Sequence, residues 1–529
     1  MKNDLIAIIA RYNNLEEKEK IKAIETLAQD PESIIYAYSS FDLALMRGTI
    51  DKCISLTAIM CALVKKRIQK ESLEEYMKKT SNAPLVKAIS LSSPKLTKNT
   101  ARIMGSLKDP AYTPLLISAL GKETQQFVRP YIVQAIGAIG EANSIAVLRD
   151  VYDKIDKNTT EKHKLDEIDA LKHALLKNEV VAPIPFLGLQ SQREIVLRTM
   201  PGYAFDLKQQ LIKLGYIAKI SNQNDQDVVV TTDKVEALYD IRTFSDLYFI
   251  VARKIPLTGK AISVALDKFD IVSFLKETHG ADLSKMYYRI EIPGTSITQK
   301  QRGDYVKEIT SHINKLPLLE DNPYNYQMEI LIEPFSRSCD IYINLKTIKD
   351  SRFNYRKNTL PASINPYIAA IIANYISKHA KPTSTVLDPF CGTGTMLIER
   401  ARCAPYASLH GVDIKKNAID FANENAEIAD VQIEYTLSDI LRYSSATPYN
   451  EIISNMPFGN RVGNHIANVE MYDGFFKTVR QYLAEDGILA LYTMEGTLLE
   501  FKAGKNDFKI IEKHKMYAGG LRPTLYILK

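Results

Sequence analysis

The stretch "TVLDPFCGTGTMLIER", residues Thr385 to Arg400, decides the fold of the C-terminal third of the chain. An apolar strand, "TVLD", runs into a tight loop, and the helix "TMLIERARC" follows. Gly392 and Gly394 let the loop turn sharply and approach a ligand without Cβ clashes. Asp388 ends the strand, where its carboxylate can bind an ammonium or hydroxyl group.

Helices and strands continue to alternate around this stretch, from about residue 355 to residue 529. The helix "NPYIAAIIANYISKHA" precedes it. The strand "LHGVDI", the helix "KNAIDFANENAEIA" and the strands "IEYTLSD" and "NEIISN" follow, and a further helix leads to the final strand "GILALYTM". This alternation predicts a parallel sheet covered on both faces, an α/β Rossmann-like domain. Ligands of such sheets bind at the carboxyl ends of the strands.

The next two strands also end in acids. Asp413 is placed to bind ribose hydroxyls with Ile414 against an adenine, and Asp439, followed by Ile440, can accept from the adenine amine. The loop lacks the full G-x-G-x-x-G pattern of a phosphate cradle, whereas a cationic sulfonium with an amino-acid tail tolerates nearby acids. We therefore expect S-adenosylmethionine as cofactor. The predicted cofactor-binding residues are Asp388, Gly392, Gly394, Asp413, Ile414, Asp439, Ile440 and Asn455.

Four segments, "LDPFCGTGTMLIE", "GVDI", "SDI" and "SNMPFGNRVG", resemble the class I methyltransferase domain of THUMP-containing RNA guanine-N2 methyltransferases. The terminal "YAGGLRPTLYILK" is similar to the last strand hairpin of that family. The resemblance covers roughly Arg193 to Lys529 and is strongest in the last 170 residues. It implies methylation of N2 of a guanosine in tRNA.

In that family the fourth strand end usually carries Asn or Asp, two prolines and an aromatic residue. Here it reads Asn455, Met456, Pro457 and Phe458, the predicted catalytic residues. The Asn455 side-chain oxygen and the Met456 carbonyl would hold the two amine hydrogens, Pro457 would orient that carbonyl, and Phe458 would stack on an extruded base. The Met456 side chain has no part in this scheme, so a Met456→Pro variant is expected to keep activity.

Residues 193–350 combine short strands with helices. The strand candidates are "EIVLRTM", "DVVVTT", "DLYFIVARK", "MYYRIEI", "QMEILIE" and "CDIYINL", with helices at "AFDLKQQLIKLG" and around Asp304 to Leu316. This predicts an α+β region. Its order and lengths resemble a THUMP domain with its ferredoxin-like companion, an RNA-binding module.

A basic connector, "NLKTIKDSRFNYRKN", leads into the C-terminal domain. Cations interleaved with Phe353 and Tyr355 suit looped RNA, whose phosphates and unpaired bases they can bind. The same composition also suits a solvated connector, but the position beside the predicted site favours RNA. The predicted RNA-binding residues are Lys346, Lys349, Arg352, Arg356 and Lys357.

Residues 1–180 are helical in pattern, with apolar positions three and four apart. "MGSLKDPAYTPLL" (Met104 to Leu116) aligns with "IGAIGEANSIAVL" (Ile136 to Leu148) at an offset of 32 residues, which matches Gly105 with Gly137. This predicts an all-α solenoid similar to short HEAT repeats, with an irregular helical bundle as the alternative. The region is expected to serve binding or assembly, including a protein partner. The prolines and glycine of Val180 to Gln192 predict a linker.

Length, cysteine content and net charge indicate the number of domains, the compartment and the possible partners. A chain of 529 residues suggests three or four domains. Its five scattered cysteines indicate a reducing compartment and no metal site. Without a signal peptide or a membrane span, we expect a cytoplasmic protein. The net charge of +6 permits an RNA partner.

These observations predict an S-adenosylmethionine-dependent RNA methyltransferase that modifies N2 of a guanosine in tRNA. One alternative is the same chemistry on a ribosomal RNA guanine or on N6 of an adenine, because pocket shape selects the base. A second is a non-catalytic RNA-binding or assembly protein with a vestigial methyltransferase domain. The departure at Met456 motivates this second alternative.

Overall fold

A computed structural model describes residues 12, 15–221, 224–294, 297–446, 448–457 and 465–529, with the side chains of 465–468 excepted. The chain forms two compact units. Unit 1 comprises Met1–Ala182 and Asn322–Tyr326, and unit 2 comprises Pro183–Asp321 and Gln327–Lys529. The predicted linker spans the boundary between Ala182 and Pro183. In the described part of the chain, no helix is long and apolar enough to cross a membrane.

Unit 1 consists of helices in the residues described. They are α1 (Glu17–Leu27), α2 (Glu32–Met46), α3 (Ile50–Leu63), α4 (Arg67–Lys79), α5 (Ala83–Ile89), α6 (Pro94–Leu107), α7 (Thr113–Lys122), α8 (Arg129–Ile139), α9 (Ala142–Lys154) and α10 (Lys162–Lys177). Helices α3, α6, α8 and α10 pack side by side in a first layer, and α5, α7 and α9 pack against them in a second. This stacking of helix pairs agrees with the predicted solenoid.

The aligned glycines have a packing role in the first layer. A Cβ on Gly105 of α6 would lie 2.7 Å from the Ala135 Cα of α8, and one on Gly137 of α8 would lie 2.4 Å from the Ala174 Cβ of α10. Only glycine permits so close an approach between neighbouring helices. The sequence repeat therefore records a repeated helix-to-helix contact.

The first sheet of unit 2 has eight strands in the order β2-β3-β1-β4-β8-β7-β5-β6. They are β1 (Arg193–Arg198), β2 (Ala218–Ile220), β3 (Asp227–Thr232), β4 (Asp246–Pro256), β5 (Met286–Glu291), β6 (Leu319–Asp321), β7 (Met328–Pro334) and β8 (Ser338–Leu345). Only the β5–β6 and β5–β7 pairs among them are parallel. Its helices are α11 (Ala204–Lys213), α12 (Gly259–Phe269), α13 (Ile271–His279) and α14 (Gln299–Ile313).

Several elements of this α+β region were not predicted, namely β2, β6, α12 and α13. The two helices are joined by Asp270, which has φ 52° and accepts a hydrogen bond from the Ser273 amide at 3.2 Å. One residue in the left-handed conformation thus ends α12 and caps α13. Helix α14 starts earlier than predicted because Thr298 and Gln301 form a capping box.

The second sheet has seven strands in the order β11-β10-β9-β12-β13-β15-β14. They are β9 (Thr385–Asp388), β10 (Ser408–Asp413), β11 (Glu434–Leu437), β12 (Tyr449–Asn455), β13 (Leu483–Thr493), β14 (Ile510–Lys515) and β15 (Thr524–Leu528). Strands β9 to β13 pair in parallel and β14 and β15 are antiparallel. The helices are α15 (Pro366–Ser377), α16 (Thr395–Cys403), α17 (Lys416–Ile428), α18 (His465–Val479) and α19 (Gly496–Lys505).

This sheet is buried on both faces, as predicted. Val386 and Ile453 belong to the core shared with α15, α16 and α17, whereas the adjacent Leu387 and Ile452 belong to the core shared with α18 and α19. Because successive side chains in a strand point to opposite faces, near-continuous apolar strands are needed here. The order reverses at β9, with β10 on one side and β12 on the other, so the switch point lies at the loop after Asp388.

Candidate functional site

The loop after β9 is held from the neighbouring strand. The Asp413 Oδ2 atom, at the end of β10, accepts a hydrogen bond from the Gly392 amide at 3.0 Å, and its Oδ1 atom accepts from the Lys415 amide at 2.9 Å. Each carboxylate oxygen keeps further acceptor capacity. Asp413 therefore fixes the glycine loop and can still receive ligand hydroxyls.

The two loop glycines face different surroundings. Both have positive φ, 52° at Gly392 and 81° at Gly394. A Cβ on Gly394 would lie 2.3 Å from the hydroxyl oxygen of Tyr435, a residue of β11 that was not predicted to take part in the site. A Cβ on Gly392 would meet nothing within 4 Å. The protein fills the space beside Gly394 and leaves the space beside Gly392 open to a ligand.

Asp388 lies buried at the end of β9. Its Oδ1 atom accepts hydrogen bonds from the Ser454 hydroxyl at 2.6 Å and from the Phe390 amide at 3.1 Å. Burial raises the pKa of Asp388 to about 7, and nearby Asp413 adds to the rise, while the two hydrogen bonds oppose it. A cationic ligand group would favour the ionised carboxylate here.

The remaining predicted cofactor residues differ in accessibility. Ile414 is 67% exposed, and Asp439 accepts a hydrogen bond from the Leu441 amide at 3.0 Å. The prediction that the Ile440 side chain contacts the cofactor is corrected, because that side chain is 3% exposed and packs in the core with Tyr472 of α18. Its side chain serves the core rather than a ligand, because the turn after Asp439 points it inward.

Asn455 ends β12 with an unused acceptor. Its Nδ2 atom donates to the Ala362 carbonyl at 3.3 Å, whereas its Oδ1 atom is buried without a hydrogen-bond partner among the described residues. An unpaired buried acceptor is costly, and such groups in native proteins commonly serve a ligand. This oxygen is available to a donor from a substrate.

The structure changes the interpretation of Met456. Its amide donates to the Tyr492 carbonyl at 2.9 Å, and its side chain is 1% exposed in the core. Proline at this position would lose the hydrogen bond and the packing of the Met456 side chain, so we expect Met456→Pro to be less stable than wild type. That the variant keeps activity stays a prediction. Pro457 is half-buried, and Phe458 lies outside the described residues.

A bridging segment, residues 357–365, lies against the glycine loop and was not predicted. Buried Asn425 of α17 donates to the Asn358 and Thr393 carbonyls, each at 3.0 Å. The hydroxyls of Ser363 and Thr393 are 3.1 Å apart, and Ala362 receives the Asn455 amide. The segment therefore connects the glycine loop to the catalytic candidate. These contacts span up to 93 residues, so local patterns could not reveal them.

The basic connector divides into structural and exposed cations. Arg352 is buried: it donates to Asp350 and to the Ile241 and Phe244 carbonyls, and its guanidinium lies 3.8 Å from the Phe244 ring centroid. The prediction that Arg352 binds RNA is therefore corrected, because its donors are used within unit 2. Arg356 is half-buried and donates to the Ile364 carbonyl at 3.1 Å. Lys346, Lys349 and Lys357 are exposed.

Tyr355 is also structural, contrary to its predicted use as a ring for unpaired bases. It is 3% exposed and its hydroxyl donates to Glu399 of α16 at 2.7 Å. Arg242, from the α+β region, donates to both oxygens of the same carboxylate at 2.7 and 2.8 Å. Glu399 thus links the helix after the glycine loop to the first-sheet region of unit 2.

Cysteine and metal chemistry find no support in the described parts of the chain. All five cysteines are free, and no cluster of potential metal ligands occurs among the described residues. Burial raises the pKa of Cys391 well above its usual value, and Asp388 and Asp413 add to the rise. This shift opposes formation of the thiolate, which is the nucleophilic form of cysteine.

Comparisons with known proteins agree with this geometry. Residues 353–524 match the UPF0020 family, described as an RMKL-like methyltransferase domain, and residues 82–161 match HEAT repeats. The latter match supports the predicted HEAT-like helical region.

Two tRNA (guanine(6)-N2)-methyltransferases, from Methanocaldococcus jannaschii and Thermus thermophilus, are each 26% identical to this chain, over 216 and 178 residues. Each alignment covers 33% of this chain, and 56% and 52% of the respective relative. The ribosomal RNA large subunit methyltransferase K/L of Shewanella frigidimarina is 29% identical over 162 residues, 22% of this chain and 23% of that protein. The chain thus spans about half the length, or less, of the curated relatives it matches.

Solved structures share the fold. TrmN from Thermus thermophilus aligns with a TM-score of 0.51 and 19% identity over 64% of this chain and 99% of its own. SMU.472, assigned as a methyltransferase and complexed with SAH, aligns with a TM-score of 0.52 and 17% identity over 64% of this chain and 98% of its own. The chain therefore contains a class I methyltransferase-like fold, as predicted.

Proposed function

We propose that the protein is an S-adenosylmethionine-dependent RNA methyltransferase that methylates N2 of a guanosine in tRNA. The observation that carries the proposal is the buried Oδ1 atom of Asn455 at the fourth strand end, which has no hydrogen-bond partner among the described residues. It belongs to the same sheet edge as Asp388, Asp413 and Asp439, beside the switch point. The similarity to two tRNA guanine-N2 methyltransferases supports this choice of substrate.

The residues present fit S-adenosylmethionine. Asp388 is suited to the ammonium of its amino-acid tail, Asp413 to ribose hydroxyls, Ile414 to the adenine face and Asp439 to the adenine amine. The open side of Gly392 allows close approach of the ligand to the backbone. When bound, this cofactor supplies a methyl group on a positively charged sulfur.

The substrate amine is the group that the protein must prepare. The nitrogen lone pair of an exocyclic amine on guanine is delocalised into the ring, so the amine is a poor nucleophile. The Asn455 Oδ1 atom and the Met456 carbonyl can accept its two hydrogens and favour the pyramidal, nucleophilic form. The bridging segment holds the Asn455 amide through Ala362, which fixes the orientation of Oδ1. Positioning thus supplies most of the rate gain.

The α+β region of unit 2 is assigned to RNA recognition. We infer that residues 193–350 are a THUMP-like and ferredoxin-like module, because strand order and lengths resemble that arrangement. Exposed Lys346, Lys349 and Lys357 remain candidates for phosphate contacts. The buried Glu399 carboxylate would hold this module in a fixed position relative to the glycine loop, since both Arg242 and Tyr355 donate hydrogen bonds to it.

A second candidate function is methylation of a ribosomal RNA guanine. The observation that favours it is the 29% identity to the K/L enzyme of the large ribosomal subunit. The same Asn455 acceptor would serve there, because the motif selects an amine and pocket shape selects the RNA.

The test uses methyl transfer from radiolabelled S-adenosylmethionine to bulk tRNA and, separately, to ribosomal RNA. We expect wild type to label tRNA, and Asn455→Ala to lower kcat/KM about 100-fold or more, as for loss of one positioned catalytic hydrogen-bond partner elsewhere. Asn455→Asp keeps an acceptor oxygen and serves as the matched control. If wild type binds the cofactor but labels neither RNA, the proposal fails and the vestigial alternative is favoured.

A further inference from the structure

Helix α6 of unit 1 carries three charged side chains, and all three are cations. Lys95, Lys98 and Arg102 stand at positions i, i+3 and i+7 and therefore share one face of the helix. Lys95 is exposed, and Lys98 and Arg102 are partly exposed. The face extends over about 10 Å along the helix.

This face contacts an aromatic ring of α8, and α6 also contacts the C-terminal part of α3. The Lys98 Nζ atom lies 4.2 Å from the ring centroid of Tyr131 on α8, and the Arg102 guanidinium lies 5.9 Å from it. On the other side, the Cys61 thiol of α3 donates to the Asn99 carbonyl of α6 at 3.2 Å.

The Cys61 thiol is close enough to three of the cations for each of them to affect its pKa. Burial raises the pKa of Cys61 to about 11, while Arg102, Lys65 and Lys98 all act to lower it. Lys65, the fourth cation, lies just beyond the end of α3, four residues after the Cys61 that contacts α6, and is exposed. Four cations, Lys65, Lys95, Lys98 and Arg102, therefore form a basic stripe along the seam of α3, α6 and α8.

The cations of the basic stripe are not paired with carboxylates in the described part of unit 1. Among the residues that the structure describes, none of its four cations makes an ion pair within 4.0 Å. Some cations elsewhere in unit 1 do pair with carboxylates, as in Arg67 with Glu71 at 2.7 Å and Lys154 with Asp150 at 2.7 Å.

The charges on the other first-layer helices, α8 and α10, differ from those on α6. On α8 the charged residue, Arg129, is occupied by Glu167 at 2.8 Å. Helix α10 carries exposed Asp166 and Asp169 together with exposed Lys162, Lys172 and Lys177, so it presents mixed charge, whereas the charged residues of α6 are all cations. Clustered cations without partners repel one another, and an anionic polymer relieves that repulsion.

We propose that the basic stripe, with Tyr131, binds the phosphate backbone of a structured RNA. The choice of RNA over an acidic protein rests on the proposed function, since unit 2 is assigned to RNA modification. A row of cations spaced about 5–6 Å apart along one helix suits successive phosphates. Because α6 carries no acid and the four cations make no ion pair among the described residues, a polyanion of uniform charge is favoured over a protein surface of mixed charge.

The test compares two charge-reversal variants of the full chain. The stripe variant is Lys65→Glu, Lys98→Glu and Arg102→Glu. The control variant is Lys87→Glu, Lys122→Glu and Arg149→Glu, three exposed cations on α5, α7 and α9. Each set of three reversals takes the formal net charge from +6 to 0, so the two variants have the same net charge and carry the reversals on different faces of unit 1.

Binding of fluorescein-labelled tRNA is measured by anisotropy across a salt series. We expect the stripe variant to bind at least about tenfold more weakly, and its slope of log affinity against log salt to fall by about 2–3, because each phosphate contact contributes about 0.7–0.9. The control variant should differ from wild type by about twofold or less. Equal unfolding midpoints for all three proteins exclude misfolding.

Equal affinities and slopes for the stripe and control variants would overturn the proposal and leave an acidic protein as the partner. Failure of the stripe is distinguishable from failure of the proposed function. If wild type methylates no RNA but the stripe variant still loses tRNA affinity, the stripe stands alone. If wild type methylates tRNA and both variants bind equally, the stripe falls and the methyltransferase assignment remains.

Discussion

Alanine at each loop glycine tests the geometry of the site. Both glycines have positive φ, which costs an L residue about 1–2 kcal/mol. A Cβ at Gly394 would also overlap the Tyr435 hydroxyl at 2.3 Å, and relieving such overlap costs about 1–3 kcal/mol. We therefore expect Gly394→Ala to lower the free energy of unfolding by about 2–5 kcal/mol and Gly392→Ala by about 1–2 kcal/mol.

Of the two variants, Gly392→Ala should be the more stable, but its Cβ is the one that would meet the ligand. The Cβ of Gly392→Ala would project into the open side, so this variant should lose S-adenosylhomocysteine affinity despite its smaller loss of stability. Gly394→Ala combined with Tyr435→Phe should recover about 1–3 kcal/mol, since the Tyr435 hydroxyl has no partner among the described residues. Denaturant titration and calorimetry measure both quantities. Equal unfolding losses for the two single variants, or unchanged affinity in Gly392→Ala, would refute the reasoning.

Three further predictions concern residues around the same sheet. The pKa of Asp388 is raised from 3.8 to about 7, so its contribution to stability is full below pH 3.8 and is lost as pH rises through 7. In denaturation experiments at a series of pH values, wild type should therefore lose stability relative to Asp388→Asn between pH 3.8 and about 7. Glu451→Gln should cost about 3–5 kcal/mol by leaving buried Arg400 uncompensated, whereas Arg400→Met with Glu451→Leu should recover most of it in the same denaturant assay. Met456→Pro should lower the unfolding midpoint and Met456→Leu should not, because only proline removes the 2.9 Å hydrogen bond to Tyr492.

The elements that the sequence predicted well are those encoded locally. The strand, loop and helix around Asp388 and Gly394 follow a local pattern of an apolar run, two glycines and a second apolar run, and this pattern predicts their order directly. The contact that holds the loop, from Gly392 to Asp413, spans 21 residues and is not part of that pattern. The Gly105 and Gly137 correspondence also held, because each glycine meets an alanine of the next helix at the equivalent place.

Other features depend on contacts that no local pattern contains. Arg352 and Tyr355 have the composition of an RNA-binding connector, but Tyr355 reaches Glu399, 44 residues away, and Arg352 reaches carbonyls more than 100 residues away. Burial of a polar side chain depends on such distant partners. The role of Tyr435 beneath Gly394 was equally hidden, since it arises from the pairing of β10 with β11.

The measurement that tests the central claim most directly is mass spectrometry of nucleosides from tRNA incubated with S-adenosylmethionine and the protein. If Asn455 holds a guanine amine, wild type produces N2-methylguanosine and Asn455→Ala produces about 100-fold less at equal cofactor affinity. Methylated adenosine, or N2-methylguanosine formed equally by both proteins, would contradict this account.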